Sequence, residues 1–79
     1  MHYDAPVKLI GNLQAAWNNR KSAFMIWFKN VPQPASVIDI VEASKVPEYT
    51  ITLLLKELEE EGKLQIASDV GITRYYSIK

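Results

Sequence analysis

Apolar positions in the first third of the chain fall at helical spacing. Val7, Ile10, Leu13 and Trp17 recur at steps of three or four, which predicts one stripe of a helix opening at Pro6. A second, aromatic stripe follows at Phe24, Trp27, Phe28 and Val31. Asn18 and Asn19 lie between the two, and the pattern fits either a break there or one helix running through. The segment Pro32-Gln33-Pro34 ends the run, because proline lacks an amide proton and restricts the residue before it.

Two shorter helices are predicted next. Ser36 with Asp39 three residues on matches a capping-box variant. Val37, Ile40 and Val41 then form a buried face ending near Ser44. Lys45-Val46-Pro47 makes a tight turn, and Pro47 suits the first position of the following helix. Ile51, Leu54, Leu55 and Leu58 are that helix's apolar face, and Gly62 is placed to close it in a left-handed conformation. Beyond it, Leu64 and Ile66 alternate. Asp69-Val70-Gly71 reads as a turn, and Ile72, Arg74, Tyr76 and Ile78 alternate again as the return strand of a hairpin. The expected order is four helices and two strands, a mainly α protein with a small β-hairpin (α+β).

A chain of 79 residues makes one domain. Domains of this size bury only about 60% of their unfolded surface, so the eight aromatic residues matter to the core. There is no cysteine, which removes disulfides and thiolate metal sites. His2, the single histidine, stands at the chain start and does not suggest a metal site. No apolar run approaches the roughly 20 residues of a membrane span. No signal pattern opens the chain, so a cytoplasmic protein is expected.

Net charge is zero but unevenly spread. Residues 1–30 carry +3, residues 31–62 carry −5 and residues 63–79 carry +2. Affinity for a polyanion must therefore come from one face. Catalytic chemistry finds no support. The glycines Gly11, Gly62 and Gly71 form no phosphate-cradling motif, and one terminal histidine cannot serve a hydrolytic triad. The acidic run at Glu57, Glu59, Glu60 and Glu61 reads as a solvated helix face.

The stretch VPEYTITLLLKELEEEGKL, with the hairpin after it, resembles the recognition-helix region of IclR-type and MarR-type bacterial regulators. Residues 20–79, about three quarters of the chain, look like a winged helix-turn-helix domain, and residues 1–19 like an added N-terminal helix. The resemblance implies a double-stranded-DNA-binding transcriptional regulator. Its second motif helix, 47–61, would enter the major groove and its hairpin, 63–79, would touch the flank. The positions matching the family's contact set are Ser36, Lys45, Glu48, Tyr49, Thr50, Thr52, Leu53, Lys56 and Arg74.

Each has a plainer reading. Thr50 and Thr52 suit phosphate or thymine-methyl contact, or ordinary surface. Tyr49 suits a phosphate or the helix start. Lys56 is the best phosphate candidate on its helix. Glu48 repels phosphate unless it accepts from a cytosine amino group. Arg74 either reaches the minor groove or pairs with Asp69. A positive band joining Arg20, Lys21, Lys45, Lys56 and Arg74 would favour DNA, whereas an apolar patch around Leu53 would favour a protein partner and no DNA. The stripe Val7, Ile10, Leu13 and Trp17 either packs on its own domain or forms a two-fold contact in a homodimer. Small stand-alone proteins of this kind resemble those of phages, archaeal viruses and plasmids. No cofactor is implied.

Overall fold

A computed structural model describes residues 6–79, with side chains from Leu13 onward. It is an α+β arrangement of three helices and a small antiparallel sheet. Helix α1 spans Pro6–Phe28, α2 spans Val37–Ser44 and α3 spans Glu48–Glu60. Strand β1 is the two-residue piece Ala35–Ser36, β2 is Leu64–Val70 and β3 is Thr73–Ile78, in the sheet order β1-β3-β2.

Residues 6–28 form one helix, so four predicted helices become three. Asn18 and Asn19 are weak helix formers, but both are solvent-exposed and Gln14 donates to Asn18 Oδ1 at 3.1 Å. Their mild propensity cost is overridden by the anchoring of the helix on the rest of the fold. The boundary expected at residue 19/20 therefore falls inside a continuous element. At 1.5 Å per residue, α1 is about 35 Å long and α3 about 20 Å, so α1 outreaches α3.

The core is Phe24, Phe28, Ala35, Ile40, Ile51, Leu54, Leu55, Leu58 and Leu64. Every element except β3 supplies one of these, and β3 packs Tyr76 and Ile78 against them. The aromatic stripe of α1 is internally stacked, with the Phe24 and Phe28 rings 5.4 Å apart and 18° from parallel.

The α2 cap forms as the sequence predicts. Ser36 Oγ accepts from the Asp39 amide, and Asp39 accepts from the Ser36 amide, both at 3.2 Å. Ser36 also pairs with Tyr75 in the sheet, so one residue ends a strand and starts a helix. Ser36→Ala is expected to cost about 1 kcal/mol, read as a lower denaturant midpoint at unchanged slope. A loss below about 0.3 kcal/mol would show that the cap is dispensable in this context.

The hairpin differs from the predicted one. Asp69 and Val70 are paired strand residues, and the loop is Gly71–Ile72, with Gly71 at φ 63°. Glycine at the first loop position suits the tight turns that match strand twist. A bulge between Ile66 and Ser68 shifts the register by one. Ile72 stands in the loop and is fully exposed rather than aligned with Arg74 and Tyr76.

Candidate nucleic-acid interface

The apolar stripe of α3, Ile51, Leu54, Leu55 and Leu58, is buried. That fixes which side chains face out. Glu48, Tyr49, Thr52 and Lys56 are exposed, and the last three lie three and four residues apart on one stripe. Thr50 and Leu53, expected among the outward set, are only half exposed. Leu53 lines a surface depression of about 350 Å³ with Lys56, Glu57, Glu60 and Glu61. Its four neighbours in that depression are all charged.

Between α2 and α3, Lys45 closes α2 in the left-handed region at φ 62°, its amide donating to Val41 O at 2.9 Å. A lysine gains nothing sterically in a conformation that glycine adopts freely. Its side chain is exposed. Among the described residues neither Lys45 nor Lys56 has an ion-pair partner.

Other candidates are engaged elsewhere. Ser36 is buried and occupied by the α2 cap, so it leaves the contact set. Arg74 lies 3.5 Å from Asp69 across the hairpin, the plainer of its two readings; both side chains remain more than half exposed. Such surface pairs contribute little and do not lock the arginine in place. Lys21 is not on a phosphate-facing band at all. It is buried, with its ammonium between Glu57, at 3.2 Å, and Glu61. The expected band through Arg20, Lys21, Lys45, Lys56 and Arg74 is interrupted at Lys21.

The same cluster corrects the reading of the acidic run. Glu59 and Glu60 are solvated, but Glu57 accepts from the Trp17 indole N–H at 2.8 Å and from Lys21. Trp17 thus packs on its own domain, whereas Leu13 is exposed; the Val7 and Ile10 side chains lie outside the described residues. The Trp17 hydrogen bond, then Lys21, holds the Glu57 carboxyl below its ordinary value of 4.5. Lys21 does the same to Glu61. The hydrogen bond that Lys21 donates to Glu61, with help from Glu57 and against desolvation, raises Lys21 above 10.5.

Depressed carboxyls stabilise the fold fully above pH 4.5 and lose that contribution as pH falls through their folded values. The raised lysine contributes below pH 10.5 and loses its share as pH climbs past its folded value. Glu57→Gln is therefore expected to flatten the fall in stability below pH 4.5, followed by urea unfolding at several pH values. Parallel curves for the two proteins would show that the cluster is not the acid-sensitive element.

One signal for this cluster lies in helical phase. Trp17, Lys21, Phe24 and Phe28 are in helical phase, so Lys21 occupies a place on the buried stripe. An exposed apolar pair, Val70 and Ile72, stands at the hairpin end, marked in the sequence by the two β-branched residues flanking Gly71. Among the described residues no His, Asp and Glu side chains cluster as metal ligands would. None of the described helices is long and apolar enough to cross a membrane. Comparison with protein-family models, with curated proteins and with solved structures found no match for this chain.

Proposed function

We propose that this protein is a small winged-helix protein that binds double-stranded DNA and regulates transcription as a homodimer. In this reading α3 is the recognition helix in the major groove and the β2–β3 hairpin is the wing. The observation that carries it is the exposed stripe Tyr49, Thr52 and Lys56 on α3, beside Lys45 held at φ 62° in the turn before it. A tight two-helix unit followed by a hairpin is the layout by which such proteins set a helix N-terminus against base edges. Tyr49 and Lys45 are suited to backbone phosphate, and Thr52 to a thymine methyl or a phosphate. The exposed Leu13, on the part of α1 that outreaches α3, supports a two-fold contact between copies.

Two unpaired lysines at the α2–α3 turn and on α3, Lys45 and Lys56, imply weak, salt-sensitive binding. Each phosphate neutralised adds about 0.9 to the slope of log K against log salt, so a dimer using Lys45 and Lys56 is expected to show a slope of about −3.6. Fluorescence anisotropy of a random-sequence duplex across a salt series measures it. Lys56→Glu is expected to abolish binding. No binding by micromolar protein at low salt would overturn the proposal, because non-specific electrostatic affinity accompanies every groove-reading protein of this type.

A second reading is a winged helix that binds protein and no DNA. It is favoured by the exposed Glu48 at the start of α3, where a carboxylate already satisfies the helix dipole. Exposed Tyr49, Val70 and Ile72 add apolar surface to the same reading.

A further inference from the structure

A cavity of about 450 Å³ opens between α1 and the α2–α3 turn. Its size lies within the range of about 300–1,000 Å³ typical of small-molecule sites. The buried side chains Phe24 and Leu54 line it from the core side. Half-buried Trp27 and the ring of Pro47 add further apolar surface. Ala23 and Ala43, one from each flanking helix, contribute only methyl groups, which is why the space stays open.

Two exposed cations, Arg20 and Lys45, complete the lining. Neither has a carboxylate partner among the described residues, and no acidic side chain lines the cavity. An apolar interior with convergent charge of one sign selects both the body and the head of a ligand. The Trp27 and Phe24 rings, 5.7 Å apart and tilted by 49°, offer aromatic faces and edges that favour a flat ring. A planar guanidinium and an ammonium in one lining favour a carboxylate or similar oxyanion.

We propose that this cavity binds a small organic anion with a flat apolar body, its ring against Trp27 and its anionic group between Arg20 and Lys45. The site does not depend on DNA binding.

Titration of the 15N-labelled protein with naphthalene-2-carboxylate tests it. The expected result is saturable shifts of the Trp27 indole and the Ala43–Pro47 turn, with a dissociation constant on the order of 1 mM. The neutral naphthalene-2-carboxamide is expected to bind about five- to tenfold more weakly, and Arg20→Gln to weaken the carboxylate by a similar factor. Ala23→Leu, which fills the space and leaves both cations in place, is expected to abolish binding while far-UV circular dichroism stays unchanged. Equal shifts with inorganic phosphate alone would reduce the site to a charged patch and overturn the proposal. So would equal binding of acid and amide, unaltered binding by Ala23→Leu, no saturable shift, or Trp27 shifts that follow protein concentration, which would make a second copy the occupant.

Discussion

Phe28→Ala is expected to destabilise the protein by about 3–5 kcal/mol. The Phe28 ring is wholly buried, stacked on Phe24 and 6.4 Å from Trp27. It is also the last residue of α1, and its carbonyl accepts from the Val31 amide at 3.0 Å and from Gln33 Nε2 at 2.8 Å. Removing the ring leaves a cavity where the helix meets the loop leading to the sheet. A domain of this length holds a net stability of only about 4–12 kcal/mol, so the loss is a large fraction of it. Thermal denaturation is expected to show a midpoint lowered by at least about 12 °C. Ile26→Ala, on the exposed side of the same helix, is expected to change stability by less than about 0.5 kcal/mol. Similar losses in the two variants would mean that the buried stripe is misassigned.

Gln33→Ala comes next, at about 1–3 kcal/mol. Ala35 pairs with Tyr76 and Ser36 with Tyr75; continuing that antiparallel register by two places sets Gln33 opposite Ile78. The backbone pairing stops short of that point, and the Gln33 side chain takes over. Its Oε1 accepts from the Ile78 amide at 2.8 Å, while Nε2 reaches the end of α1. One side chain thereby ties the helix terminus to the last strand. Alanine leaves the Ile78 amide without its partner, whereas the Phe28 carbonyl keeps Val31, so most of the cost belongs to the amide. Hydrogen exchange at Ile78 is expected to accelerate with the loss of stability. Unchanged exchange together with a loss under about 0.5 kcal/mol would show that water replaces the side chain without penalty. Gln33→Glu keeps the acceptor for Ile78 but sets a carboxylate against a carbonyl, and should fall between the two.

What was legible in the sequence was local. The Ser36–Asp39 cap, the buried face of α3 and the left-handed Gly62 are each specified within a few residues of chain, and all three are present. Long-range pairing was not legible. Strand β1 is two residues long and exists only because β3 lies beside it. Lys21 is charged and reads as a surface cation, but its partners stand 36 and 40 residues away, beyond what periodicity reports. Of the candidate contact residues, Tyr49, Thr52 and Lys56 follow directly from the phase of the apolar stripe, and they face out. Ser36 is closed off by the cap it forms and by the strand beside it, whereas Thr50 and Leu53 lie half exposed at the margin of the buried face of α3.

The bulge at Ala67 reaches beyond the hairpin's own geometry. In the order β1-β3-β2, strand β2 is hydrogen-bonded on one side only and runs for seven residues. A straight strand of that length is a template on which a stranger's strand can add. The extra residue between Ile66 and Ser68 breaks the even spacing of amides and carbonyls along that free edge. A chain lacking Ala67 would be flatter and more regular there, with Ile66 and Val70 still exposed along it, and more prone to aggregate edge to edge. The irregularity works against strand addition at that edge.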